Sequence, residues 1–221
     1  MKSAPFSVAV MAKAPIAGFA KTRLIPLLGA AGAARAQRGF VLRTLATVAA
    51  AGPQSVTLWC APDAEQRFFR ALERLNGMPS LHFATQCDAS LGARMAETFA
   101  AHARARASVS AKPLLLVGTD CPVLTPTHLR EAAEALADGA DAAFAPVEDG
   151  GYVMVALRDP ALGDFGIFSG IDWSTPHVMT QTRDRLRAAG ARWHELAPLW
   201  DVDEPADWLR FERLRRGSEA A

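Results

Sequence analysis

The residues of this chain that are equipped for chemistry fall in four short segments rich in glycine or proline. The first, Lys13-Ala-Pro-Ile-Ala-Gly18-Phe-Ala-Lys21-Thr22-Arg23, gathers three cations, a glycine and a hydroxyl. At a strand-to-helix turn such a set suits a diphosphate or triphosphate. The cations neutralise phosphate charge, and backbone N–H groups at a helix start add partial positive charge. It is not a P-loop, because no glycine precedes Lys21 and the GxxxxGK[ST] spacing fails; nor does a GxGxxG occur here. The plain alternative is a solvated basic loop. Against it, the chain has 20 arginines and only four lysines (Lys2, Lys13, Lys21 and Lys112), and two of those four fall here.

The second segment is Gly118-Thr119-Asp120-Cys121-Pro122, in which Asp120 is either a turn residue or a ligand for Mg²⁺ beside phosphate oxygens. The third is Asp201-Val202-Asp203-Glu204-Pro205-Ala206-Asp207. Asp203 there reads as a helix N-cap, with Asp207 favouring the helix dipole, and also as a second metal carboxylate opposite Asp120. The fourth is Glu148-Asp149-Gly150-Gly151-Tyr152, whose paired glycines permit positive φ and close backbone approach to a ligand, or simply make a hairpin turn. Lesser signals are Gln86 and Arg94, placed to read a base or a second phosphate. Trp173, Ser174 and Thr175 are placed to line an acceptor side, with Ser174 or Thr175 otherwise an N-cap. His177 is a possible base or a structural histidine. No HExxH cluster and no GxSxG elbow occurs.

The elements that must position these residues alternate strand and helix. Phe6–Ala12 reads as a buried strand bounded by Pro5 and the Lys13–Pro15 loop. An Ala-rich helix follows over Ala30–Ala51, stopped at Gly52-Pro53. Then come strand Val56–Cys60, helix Asp63–Leu75, strand Leu81–Gln86 and helix Leu91–Ala107. Pro113–Gly118 is uninterrupted apolar sequence, as expected of a strand covered on both faces. Thr125-Pro126 opens a helix to Ala137, with a capping hydroxyl before proline at the first helical position. Ala142–Pro146 and Tyr152–Leu157 read as strands around a Glu148–Gly151 turn. A helix over Thr175–Ala189, a strand over Arg192–Leu196 and a helix from Pro205 follow, with Gly163–Gly170 a loop. Strands separated by helices predict βαβ units, a mostly parallel central sheet and helices on both faces. In such sheets ligands sit beyond the carboxyl ends of the strands, where the four segments lie.

Composition bounds the function. The chain has 221 residues, net charge +1, 50% hydrophobic and 21% charged residues. That predicts one globular domain over residues 1–221 and excludes a strongly basic nucleic-acid binder or a disordered tail. No apolar run approaches the roughly 18 residues of a membrane span, and the amino terminus lacks a signal-peptide pattern, so a cytoplasmic protein is expected. Cys60, Cys87 and Cys121 form no CxxC pair and read as free thiols.

The set KAPIAGFAKTRL, QCDASLGARM, GTDCPVL, EDGGYVMVAL, IDWST and DVDEPADW resembles the radical-SAM/selenodomain-associated transferase family, in order from Lys13 to Trp208. More distantly the chain is similar to cofactor and sugar-nucleotide nucleotidyltransferases. The resemblance implies a GT-A-like, nucleotide-diphospho-sugar transferase fold. It also implies a divalent metal, Mg²⁺ or Mn²⁺, on Asp120 and Asp203, and phosphates held by Lys13, Lys21 and Arg23. Three departures stand out: GTDCP has one aspartate in place of a DxD pair, the GGxSxRMG loop is missing, and Glu204 replaces a threonine. The expected activity is glycosyl transfer from a nucleoside diphosphate-sugar to a small-molecule acceptor. Lys21, Arg23, Asp120 and Asp149 act in catalysis, with Asp149 or Glu148 as the base, Gly18, Thr22, Gln86 and Arg94 join the nucleotide side, and Gly150, Gly151, Tyr152, Trp173, Ser174 and Thr175 face the acceptor. The alternatives are nucleotidyl transfer from a nucleoside triphosphate, releasing pyrophosphate, and a nucleotide-binding sensor without turnover.

Overall fold

The computed structural model describes residues 4–73, 81–105 and 113–219. In chain order its strands are β1 (Ser7–Lys13), β2 (Ser55–Ala61), β3 (Leu81–Thr85), β4 (Leu114–Val117), β5 (Ala142–Pro146), β6 (Tyr152–Leu157) and β7 (Trp193–Glu195). Its helices are α1 (Ile25–Ala51), α2 (Arg67–Leu72), α3 (Leu91–Ala105), α4 (Pro126–Ala137), α5 (Val178–Ala188) and α6 (Pro205–Glu219). Lys2 and Lys112, and the helix ends expected at Leu75 and Ala107, lie outside the described residues.

The strands form one sheet in the order β3-β2-β1-β4-β6-β5-β7. β6 runs antiparallel to both its neighbours and the remaining pairs are parallel. The mostly parallel α/β fold expected from the sequence is therefore the one present. Every residue of β4 and β5 is buried, because helices cover both faces there. On one face Val8, Val10, Leu115 and Val117 pack against Val41, Leu45 and Val48 of α1, Phe69 and Leu72 of α2, and Leu129 and Leu136 of α4. On the other, Ala9, Leu114 and Leu116 pack against Met95 and Phe99 of α3 and Met179 and Leu186 of α5. A third cluster joins Leu24, Phe40 and Val202 to Trp208 and Phe211 of α6.

Thr125 caps α4 as expected, with His128 completing a reciprocal capping box. The long helix does run from Ala30, but a preceding turn from Ile25 joins it across Gly29, whose φ of 67° and ψ of 164° break the helical path. Other boundaries shift. β1 is displaced by one residue to Ser7–Lys13, and β3 stops at Thr85, after which the Gln86 side chain turns inward and donates to Trp59 O at 2.8 Å. α2 starts four residues late, since Gln66 donates to Asp63 and holds an extended backbone instead of a first helical turn. β7 covers only Trp193–Glu195. α5 begins at Val178, preceded by Ser174 at φ 63° and with no side-chain cap, so neither Ser174 nor Thr175 caps it. The Gly163–Gly170 segment is a loop, yet Ile167 and Phe168 drop from it into the core.

Candidate active site

The sheet order reverses between β1 and β4: the chain leaves β1 toward β2 and leaves β4 toward β6 and β5. A crevice opens at such a switch point beyond the carboxyl ends of the two strands. Here it is a cavity of about 720 Å³. The last residue of β1, Lys13, and the loop after it with Lys21, Thr22 and Arg23 reach it, and the loop after β4 brings Thr119 and Asp120. The β5–β6 turn brings Asp149 and Gly151, and the segment before α5 brings Trp173, Ser174 and Thr175. Asp201 and Asp203 arrive on a strand-like segment that bridges Val147 at Leu199 and ties Val202 N to Asp120 O at 2.9 Å.

Lys21 is the centre of the site. Its Nζ donates to Val202 O at 2.6 Å, Asp120 Oδ2 at 3.2 Å and Asp203 Oδ1 at 3.3 Å. The Phe40 ring lies beneath it with its centroid 5.9 Å away. Only 7% of its side chain is exposed. The residue holds a left-handed backbone, φ 49° and ψ 45°, which a long side chain rarely adopts. Burial disfavours the ammonium charge, but Asp120 and Asp203 outweigh it and raise the lysine above its usual range. Burial likewise disfavours the Asp120 carboxylate, and Lys21 outweighs that and holds it below the usual range. Arg23 adds a second cation on Asp203, 2.7 Å from Oδ2.

Two residues here escaped the sequence reading. Asp201 is pushed up to about 7 by burial first and then by the charges of Asp120, Asp149 and Asp203. The site thus crowds four aspartates. Gln37, on the buried stripe of α1, donates its amide to Lys13 O at 3.0 Å and Thr119 Oγ1 at 3.2 Å, and so joins the ends of β1 and β4. A polar residue among Ala33, Ala36, Phe40 and Val41 at helical spacing was the available signal for it.

The wall opposite the cations is aromatic. Tyr152 meets Phe144 and Trp173 edge-on, with centroids 5.3 and 6.2 Å apart, and its hydroxyl is buried. Burial raises that hydroxyl out of reach of ordinary ionisation. A Cβ on Gly92 would come within 2.7 Å of Trp173 Nε1 and 2.3 Å of Phe168 O, so the indole closes over α3 only because residue 92 is glycine. Gln86 and Arg94 also line the cavity, Arg94 Nη1 donating to Gln86 Oε1 at 3.0 Å.

Several expected residues are placed otherwise. Gly18 and Gly150 do not line the cavity. The close approach at Gly150 is to backbone and not to a ligand: a Cβ there would stand 2.2 Å from Pro176 O. Glu148 points away, held by both Nη atoms of Arg210, whose guanidinium stacks on Trp200. Asp203 is spent on Lys21 and Arg23, and Asp207, inside the first turn of α6, accepts from Glu204 N at 2.8 Å. His177 is exposed and lies outside the cavity.

The metal expectation can be tested on this donor set. Asp120 and Asp203 direct one oxygen each to a single point, now held by an ammonium, and a hard divalent cation prefers oxygen ligands. Among the described residues no group of three His, Cys, Asp or Glu is arranged around a metal position. The pair fits an ion whose remaining ligands come from water and phosphate, as is usual for Mg²⁺.

The family model DUF2064, described as an uncharacterized protein conserved in bacteria, matches residues 44–175. The chain belongs to this family. No curated protein matches the DUF2064 chain in sequence. Among solved structures it is similar to a candidate nucleotide-diphospho-sugar transferase from Desulfovibrio desulfuricans G20. Identity there is 26% and the TM-score 0.78, over 90% of this chain and 82% of that one. It also shares its fold with a CMP:2-keto-3-deoxy-manno-octonic acid synthetase complexed with CTP, at 15% identity and TM-score 0.58 over 97% and 99% of the two chains. A nucleotidyl transferase from Methanothermobacter thermautotroptrophicus matches at 18% and 0.59, over 96% and 99%. The fold is thus that of nucleotide-sugar transferases and nucleotidyltransferases. No helix among the described residues is long and apolar enough to cross a membrane.

Proposed function

We propose that this DUF2064 chain is an enzyme that binds a nucleoside diphosphate-sugar at the carboxyl edge of its sheet and transfers the glycosyl group to a small acceptor hydroxyl. The observation that carries this reading is Asp149. It lines the cavity on the side of Tyr152 and Trp173, spends one oxygen on Gly151 N at 2.9 Å, and forms no ion pair among the described residues. A hydroxyl acceptor needs a base, whereas a phosphate or carboxylate nucleophile is already ionised and needs none.

In this reading Lys13, Lys21 and Arg23 hold the diphosphate, Gln86 and Arg94 meet the nucleoside, and the segment Gly151–Tyr152 with Trp173, Ser174 and Thr175 positions the acceptor. Asp120 and Asp203 would hold Mg²⁺ or Mn²⁺, which supplies charge neutralisation on the departing diphosphate. Asp149 accepts the acceptor's proton as its oxygen bonds to the anomeric carbon. The bond from that carbon to the diphosphate oxygen breaks, and the nucleoside diphosphate leaves with the electron pair. Lys21 and Arg23 face the charge that develops there.

Nucleotidyl transfer is the second reading, favoured by the three cations gathered on one rim, which match a triphosphate. A phosphate or carboxylate substrate would attack the α-phosphorus, and pyrophosphate would leave. Product analysis decides: the protein is incubated with a panel of nucleoside triphosphates and nucleoside diphosphate-sugars plus Mg²⁺ or Mn²⁺, beside Asp120→Ala. Nucleoside diphosphate released from a sugar donor, and lost in the variant, supports glycosyl transfer; metal-dependent pyrophosphate from a triphosphate overturns it.

A further inference from the structure

Lys21 has been given two duties that it cannot perform together. An ammonium has three N–H donors. All three are engaged, by Asp120, Asp203 and Val202 O, so none is left for a phosphate. The three acceptors are oxygens between 2.6 and 3.3 Å from one point, the kind of cage that a hard cation takes. The lysine itself is sequestered, with 7% of its side chain exposed against 60% for Arg23 two residues on, while the two carboxylates still face the cavity. The cage is braced on both sides: Val202 N donates to Asp120 O, and Arg23 holds the second oxygen of Asp203. The left-handed backbone at Lys21 aims the side chain inward at a conformational cost.

We infer that Lys21 is a built-in stand-in for the divalent cation, occupying the point between Asp120 and Asp203 until the ion arrives and then swinging out to the phosphates. This rests on the reading of Asp120 and Asp203 as the metal pair. The point between Asp120 Oδ2 and Asp203 Oδ1 has room for one cation and two cations there repel, so ammonium and divalent ion lower each other's occupancy, and the coupling is reciprocal. The stand-in keeps both carboxylates charged and together without the ion. Its unbranched stem lets the same nitrogen reach the cavity once displaced. Loading of the ion and arming of the phosphate-binding lysine thereby become one event.

Two measurements on the nucleotide-free protein test this. First, Mn²⁺ binding is followed by electron paramagnetic resonance for wild type, Lys21→Met and Lys13→Met. Removing the competitor tightens Mn²⁺ binding by about tenfold. Lys13→Met removes an equal charge from the same cavity but no hydrogen bond to either carboxylate, and tightens it by clearly less than Lys21→Met does. Second, wild-type protein is labelled with an amine-reactive reagent and each lysine is followed by mass spectrometry. Lys21 is protected without divalent ion and becomes reactive as Mg²⁺ saturates. Mn²⁺ binding that disappears in Asp120→Asn but is the same in Lys21→Met as in wild type leaves the metal pair standing and overturns the exchange. So does a Lys21 that stays protected in saturating Mg²⁺. Failure of every form to bind Mn²⁺ overturns the metal pair and the exchange with it.

Discussion

The two ends of this sheet treat carboxylates in opposite ways. At the amino end of β5, the Asp141 carboxylate accepts from Arg192 N at 2.9 Å and pairs with Arg158, while its backbone donates to Arg192 O and accepts from Arg158 N. The Arg192 N–H and the Arg158 guanidinium hold its carboxyl below the usual range. Around the crevice beyond β1 and β4 four aspartates gather, two of them on one buried lysine, and Asp201 is pushed up to about 7. The first arrangement is a joint in which every charge is answered inside the protein. The second leaves charge unanswered, which costs stability and makes sense where a ligand completes the set.

That contrast can be broken by substitution. The largest effect is expected at the unanswered end: Asp149→Asn lowers kcat by about 10²–10⁴ through loss of the base while leaving donor KM nearly unchanged. Steady-state kinetics on the donor found by product analysis checks it, and an unchanged kcat would remove the base from the mechanism. Next, Gly150→Ala forces a Cβ to 2.2 Å from Pro176 O at a residue with φ of 91°. It destabilises the fold by about 2–4 kcal/mol, read by thermal melting. At the answered end, Asp141→Asn loses the Arg158 pair but keeps an acceptor for Arg192 N. It costs only about 1 kcal/mol and leaves kcat untouched, which calorimetry and kinetics together establish.

The smallest effect is on pH dependence. Glu195 is held low by Arg183, which donates from Nε and Nη2 at 2.8 and 2.7 Å, and Asp141 by Arg192 N and Arg158. Both folded values lie below the unfolded ones. The stability these groups contribute is therefore present above an ordinary carboxylate pKa of about 4 and lost as pH falls through the folded values. Melting temperature should decline below pH of about 4, and less steeply in Asp141→Asn.

What the sequence revealed and what it hid divide along sequence distance. The β4 run Leu114–Val117, the Thr125 cap and the Gly52 stop are local signals, and the structure has each of them. The loops after β1 and β4 were legible as the place for chemistry, because strand order follows from alternation and ligands sit at carboxyl ends. Hidden were contacts that span the chain. Lys21 meets Asp203 across 182 positions, and nothing near Lys21 announces that its charge would be spent there. Asp201 drew no reading of its own, because its burial and the nearby charges of Asp120 and Asp149 arise only from tertiary packing. Glu148 and Asp149 are neighbours of the same charge, and Arg210 from α6 separates their fates. The start of α5 was misjudged for the same reason, since Met179 N is taken by Gly150 O and ties the first turn to a distant loop.

The 182-residue gap between Lys21 and Asp203 also sets a timetable. A ribosome adding about 5–20 residues per second needs on the order of 10–40 s to travel from one to the other. Throughout that interval the lysine has no Asp203 to meet. An unfinished chain, however well its first strands have paired, cannot assemble the pocket, and synthesis itself delays activity until the final helix begins to emerge.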